Sequence, residues 1–372
     1  MKPALTSVNS RSRAIDILRA LAVVLVLGRH MWLCPVETSA GMHRFTEIWF
    51  NGGWLGVDLF FVLSGYLVSG LLFREYARHG RISLKSFLIR RGFKIYPAFW
   101  LLTATTVIVR LWLHEPLNKL AVACEFLFLQ NYGPALWNHT WSLAVEEHFY
   151  FFLVLLLLLL TIRRTGANPF RLVPVVFATL ALTCLGLRLL QWQVSPSWLA
   201  RQQLYPTHLR MDSLFAGVLI AYIHQLRGES LVAWARRWRW GLVSAGVLVL
   251  IPAFVLSRSG SMFIPTIGLT LHYCGGGLLL LAALSAADLV RGRLAAAIAY
   301  VGSHSYSIYL WHMPVSVWVV PRLTEALHVR QNWWAYFATY ILGSVALGIL
   351  LANVIEFPML RLRDRLFPSR AR

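Results

Sequence analysis

Runs of roughly twenty apolar residues recur ten times along this 372-residue chain, and no other feature limits its fold as tightly. A bilayer core about 30 Å thick needs about 20 apolar residues per helix. The runs span approximately 14–33, 50–73, 92–113, 141–161, 170–190, 205–226, 240–257, 262–287, 294–320 and 333–356. With 58% hydrophobic and only 13% charged residues, the composition fits a chain immersed in lipid. The pattern predicts an all-α integral membrane protein with about ten transmembrane helices. A shorter apolar piece at 120–132, "LAVACEFLFLQNY", carries Glu125 and reads as interfacial or re-entrant.

The basic residues test this count independently. Formal net charge is +20, and in a soluble protein that excess would suggest nucleic acid. Here the charges fall in short segments between apolar runs, where they set topology. With ten crossings, 24 of the 35 Lys and Arg lie on the side of the termini and 9 on the other, while Arg19 and Arg29 sit inside the first run. Both termini are therefore expected in the cytoplasm, with no role for nucleic acid. Cys34, Cys124, Cys184 and Cys274 lack the short spacing of a zinc or redox site, so no metal is expected. Lys2, Arg11 and Arg13 precede the first apolar run as in a signal peptide, but "LGRHMWLCP" follows instead of a small-residue cleavage site, which predicts a retained helix. No internal repeat or polar linker is evident, so the chain reads as one membrane domain over 1–372, its last residues, 357–372, forming a basic cytoplasmic tail.

Ionisable groups inside a bilayer are costly enough that each is a candidate functional residue. In the first run, Arg19 and His30 are 11 residues apart, so they share one helix face about 16 Å apart along the axis. Arg19 is equally readable as snorkelling to headgroups and His30 as a helix cap. The second run places Asp58 in its outer third and Ser64, Gly65 and Tyr66 near its middle. Ser64 and Gly65 also suit close helix packing. In "WSLAVEEHFYFFLVLLLLLL", residues 141–160, Glu146, Glu147 and His148 stand at the mouth of an apolar run. Glu146 is one turn from both Ser142 and Tyr150 and so belongs to a polar stripe. Arg210 and Asp212 open the sixth run at the same outer level. A histidine among carboxylates fits general-base chemistry, with Glu146 or Asp58 orienting the imidazole of His30. Ser64, Tyr66 and Arg210 are the candidate donors to an oxyanion. A network of buried ion pairs is the structural alternative. On the other face, Arg90, Arg91 and Lys94 are spaced to clamp phosphates, although anionic lipids attract such a basic segment too.

At this point the sequence resembles acyltransferase family 3, the integral membrane acyltransferases that include bacterial O-acetylases of glycans. "RAIDILRALAVVLVLGRH" is similar to the family's opening motif, carried by Arg19 and His30. "GVDLFFVLSGYLVS", "FLIRRGFKIYPAFW", "TWSLAVEEHFYF", "SYSIYLWHMPV" with His312, and "NVIEFPM" match further motifs in order. The resemblance implies that His30 is the catalytic histidine and that the basic motif Arg90, Arg91 and Lys94, with Arg19 on the wall above, serves the CoA donor. Lys94 stands where arginine is commoner, keeping the charge without the planar fork. It further implies acyl-CoA, acetyl-CoA foremost, as donor substrate, with no permanently bound cofactor. The acceptor would be a hydroxyl of a glycan, lipid-linked sugar or other molecule, in a bacterial inner membrane. The esterase-like C-terminal domain of many relatives is not expected here. A transporter or flippase of a lipid-linked or anionic substrate is the competing class; "CGGGLLL" in the eighth run is the one candidate for the broken helix that class favours.

Overall fold

The computed structural model describes residues 12–162, 168–256, 261–329 and 331–370. Of the basic residues behind the topology count, Lys2, Arg11, Arg163, Arg164, Arg258, Arg330 and Arg372 lie outside these. All regular structure among the described residues is helical. The chain opens with α1 (Arg13–Arg29), α2 (Ala40–Gly52), α3 (Leu55–His79) and α4 (Leu84–Trp112). The short α5 (Lys119–Phe126) and a 3-10 turn (Asn138–Thr140) lead into α6 (Trp141–Ile162), then α7 (Val173–Val194), the one-turn α8 (Ala200–Gln203), α9 (Met211–Arg237) and α10 (Arg239–Val255). A π turn (Ile264–Gly268) opens α11 (Leu269–Leu284). The path through α12 (Arg293–Ser303), α13 (Ser305–Pro314), a second π turn (Val315–Val319) and α14 (Val320–Ala326) is broken. Finally α15 (Trp333–Leu351) runs through a third π turn (Ala352–Glu356) into α16 (Phe357–Leu366).

Six helical stretches are long and apolar enough to cross a membrane, or seven if α9 and α10, bent by 77°, count as one span. The expected ten are not all matched by such stretches, for identifiable reasons. Helix α1 has only 17 residues, and the run at 294–320 is divided among α12, α13 and a π turn. The break at Pro314 has a local cause, since proline offers no N–H to the carbonyl four residues back. The piece at 120–132 does not cross: its helix has eight residues and ends before Phe128, whose φ of 54° is left-handed.

Helix ends follow capping chemistry. Ser83 Oγ accepts from the Ser86 N–H at the start of α4 (3.3 Å), and Asn332 accepts from the Trp334 and Ala335 N–H groups at the start of α15. Gly80, at φ 64°, ends α3 in the left-handed conformation that glycine adopts without a Cβ clash.

The crossing of α3 on α9 organises the bundle. Gly65 and Gly217 face each other so closely that a Cβ on Gly65 would run into the Leu214 carbonyl and one on Gly217 into the Val62 carbonyl. In lipid such small-residue contacts replace the hydrophobic drive that helices lack. The Gly275–Gly277 run does not break α11, correcting that expectation: it stays helical, and Gly275 lets α10 approach near Leu250. Buried aromatics, among them Phe61, Phe99, Phe149 and Phe215, fill the core around α3, α4, α6 and α9.

Gly65→Val should destabilise the protein by about 1–3 kcal/mol or more. The check is thermal unfolding in detergent, where an unchanged midpoint would refute the close approach.

Candidate active site

Three histidines from distant parts of the chain meet. His30 caps the C-terminus of α1, and its ring Nδ1 lies 3.1 Å from the Val26 carbonyl oxygen and 3.1 Å from His312 Nε2. His312, fully buried in α13, has Nδ1 2.6 Å from the Tyr309 carbonyl. His139, in the 3-10 turn before α6, has Nε2 3.1 Å from the Leu310 carbonyl. Ring centroids are 4.9 Å apart for His30–His312 and for His139–His312, and 6.5 Å for His30–His139.

Local sequence explains this convergence. Pro314 cannot donate to the carbonyl of Leu310, four residues back, and the freed acceptor is the one His139 takes. A buried carbonyl needs such a partner. The loop bearing His139 is pinned by Glu125, whose Oε1 accepts from Leu136 N (3.0 Å), Trp137 N (3.4 Å) and Thr140 Oγ1 (3.0 Å). Thus α5 is not an interfacial ornament; its carboxylate is buried and holds the entrance to α6. Tyr309 donates to the His139 carbonyl (2.6 Å) and lies 2.6 Å from Ser142 Oγ, joining α13 to α6.

From there a polar stripe follows α6. Ser142, Glu146 and Tyr150 are spaced by four residues and so share one face of α6, and His139, in the 3-10 turn before it, adjoins that face through Tyr309, which bonds both the His139 carbonyl and Ser142 Oγ. Glu146 Oε2 accepts from Tyr150 OH (2.6 Å) and from Ser64 Oγ of α3 (3.3 Å), and Ser64 and Tyr150 are themselves 2.9 Å apart. The Arg91 guanidinium lies 5.7 Å from the Tyr150 ring centroid and 5.7 Å from that of Phe87. A small pocket between Leu71, Leu72, Glu75, Ser86, Phe87, Arg90, Arg91 and Arg370 includes Arg91, and within it Arg370 pairs with Glu75 (3.4 Å). The stripe from His139 to Tyr150 covers 11 residues, about 16 Å by helix rise, the same length as Arg19 to His30 on α1. Glu147, one position round the helix, accepts from Tyr96 OH (3.0 Å), and His148 Nδ1 lies 2.7 Å from Thr207 Oγ1.

Several residues expected together are placed apart. Neither Glu146 nor Asp58 reaches His30, because each carboxylate is engaged elsewhere. Asp58 pairs with Arg210, accepts from Ser213 Oγ (3.3 Å) and lies 3.1 Å from His272 Nδ1. Asp212 pairs with Arg188 at 2.5 Å. Asp58, Arg210 and Asp212 thus belong to a buried ion-pair network between α3, α7, α9 and α11, and their common depth with His30 does not become contact. Tyr66 faces α9 instead, 2.7 Å from His224 Nδ1. Arg90 donates to the Phe367 carbonyl and pairs with Asp364 (2.9 Å), while Lys94 pairs with Glu356 and faces the Tyr306 ring. Of the basic motif, Arg91 is the member at the stripe. His139 went unnoticed in sequence, although its position three residues before Ser142 continues the stripe.

A family model for an acyltransferase domain matches residues 12–353, across the helices that carry both the stripe and the histidines. The chain belongs to acyltransferase family 3. Peptidoglycan O-acetyltransferase OatA of Listeria monocytogenes is 29% identical to it over 368 residues, covering 90% of this chain and 54% of that protein. YrhL of Bacillus subtilis, provisionally named a peptidoglycan O-acetyltransferase, is 27% identical over 82% of this chain and 49% of its own length. A Staphylococcus aureus protein provisionally named an O-acetyltransferase is 29% identical over 81% of this chain and 50% of its own. The chain therefore spans about half the length of the curated relatives it matches. No solved structure matches it significantly. Its apolar helices and its family make this acyltransferase an integral membrane protein.

Asp58→Asn should cost about 3–5 kcal/mol by leaving Arg210 charged and unpaired in the interior. Asp58→Asn combined with Arg210→Met should recover much of that loss in detergent melts. Full stability with lost activity in the single variant would return Asp58 to the chemistry.

Proposed function

We propose that this acyltransferase moves an acyl group, acetyl foremost, from cytoplasmic acyl-CoA to a hydroxyl of a glycan or lipid-linked sugar beyond the membrane. His30 acts as general base. The observation that supports this most is the polar stripe of α6, which joins Arg91 and its pocket at one end to the three histidines at the other. A stripe about 16 Å long is of the order of an extended pantetheine arm, so phosphates held at Arg91 leave the thioester within reach of His30, while Arg90 and Lys94, paired with Asp364 and Glu356, add positive charge nearby. The names of the OatA and YrhL relatives support a glycan acceptor. Ten crossings with both termini in the cytoplasm of a bacterial inner membrane complete the reading, because most basic residues then face inward.

The chemistry is direct transfer. His30 takes the proton from the acceptor hydroxyl as its oxygen bonds to the thioester carbonyl carbon. The tetrahedral intermediate collapses with cleavage of the carbon–sulfur bond, and the departing CoA thiolate receives the proton from His30. Glu146, held by Tyr150 and Ser64, lines the route. Of the expected oxyanion donors, Ser64 is bonded to Glu146, Tyr66 lies beside His224 and Arg210 is paired with Asp58.

His30→Ala should lower acyl transfer in membranes supplied with radiolabelled acetyl-CoA by at least about 100-fold. Undiminished transfer at normal expression would remove the base assignment. Neutralising Arg91 and Lys94 together should raise the acetyl-CoA concentration needed for half-maximal rate; an unchanged requirement would assign these charges to lipid anchoring.

A further inference from the structure

Two hydrogen bonds decide which nitrogen of each imidazole carries the proton. The Tyr309 carbonyl can only accept, so His312 Nδ1, 2.6 Å away, must donate. A neutral imidazole has a single N–H, which leaves His312 Nε2 as a bare lone pair. That lone pair lies 3.1 Å from His30 Nδ1, which is also 3.1 Å from the Val26 carbonyl, a second group that only accepts. Both neighbours require the proton of His30 to sit on Nδ1.

We propose that His312 is the positioning residue for His30: its Nε2 shares the Nδ1 proton with the Val26 carbonyl, and together they keep the Nε2 lone pair of His30 free for the acceptor hydroxyl. This rests on His30 being the base. In that step the acceptor proton passes to His30 Nε2 while the oxygen's electron pair forms the bond to the acyl carbon. The carbon–sulfur bond breaks, and the thiolate takes the proton back from His30. His312 neither gains nor loses a proton; its hydrogen bond to His30 becomes charge-assisted while His30 is an imidazolium, and is strongest at that moment.

A carboxylate often fills this role in histidine bases, but among the described residues none is bonded to His30. Glu146 is engaged by Tyr150 and Ser64, and Asp58 by Arg210, Ser213 and His272. A neutral imidazole also suits buried surroundings, where a carboxylate would carry a heavy desolvation cost. His312 itself cannot turn freely: it is fully buried, bonded through Nδ1, and packed edge-on by His139 at 4.9 Å and 71°. His139 is held in turn by Leu310.

The test compares His312→Leu with His312→Gln in membranes supplied with radiolabelled acetyl-CoA, with His30→Ala alongside. Leucine should lower the maximal rate about 10- to 100-fold at an unchanged half-saturating acetyl-CoA concentration, the loss expected for a hydrogen bond to a charged group. Glutamine should restore most of it, because its carbonyl can accept from His30 and its amide donate to Tyr309. Wild-type rates in His312→Leu, or equal losses in both variants, would overturn the proposal. Wild-type transfer in His30→Ala would instead remove the base assignment on which it rests. Independently of any His312 variant, nitrogen NMR of the histidine-labelled full chain, assigned by difference against His30→Ala, should show His30 protonated at Nδ1 and bare at Nε2. The opposite tautomer would overturn the proposal.

Discussion

A polar group surrounded by hydrocarbon has no water to turn to, so the chain must supply every partner itself. This constraint explains why distant segments of this protein are tied at particular points. Leu310, robbed of its helical donor by Pro314, receives His139. Arg210 meets Asp58, and Arg188 meets Asp212. Glu125 gathers donors from the turn that leads into α6. Each tie fixes one helix relative to another more specifically than apolar packing could, because lipid and leucine are nearly interchangeable as surroundings.

The buried polar groups divide into two systems with different consequences. The network of Asp58, Arg210, His272, Asp212 and Arg188 pairs its charges internally and knits α3, α7, α9 and α11, while Arg188 Nη1, Arg210 Nε and Arg210 Nη1 keep no hydrogen-bond partner among the described residues. It suits a scaffold. The stripe on α6 leads to His139, whose Nδ1 also has no hydrogen-bond partner among the described residues, and Glu147 Oε1 on the neighbouring face has none either. Unused buried polar groups are expensive to keep. Both systems carry that cost, and they share no residue.

Ties of its own shape the basic end. Arg90 and Lys94 are held by Asp364, the Phe367 carbonyl and Glu356, so the C-terminal helix lies against the start of α4. Arg91, on the neighbouring face, is left to the aromatic rings of Phe87 and Tyr150. One short run of sequence thus serves two ends, anchoring a helix and charging the mouth of the stripe.

The sequence by itself determined the helical membrane class, the approximate apolar runs, the Arg19–His30 wall and the Ser142–Glu146–Tyr150 stripe. All of these depend on periodicities of 3.6 residues or on run length, which are local properties of a chain. The depth of Asp58 was equally readable, yet depth is one coordinate of three, and it made Asp58 look like a neighbour of His30. Only the tertiary structure decided that Arg210 claims Asp58 while His312 and His139 claim the space beside His30. Those pairings join residues up to 282 positions apart. They depend on the rotation of each helix about its axis, and that rotation is set by which polar partner satisfies which across the bundle. No single segment carries that information.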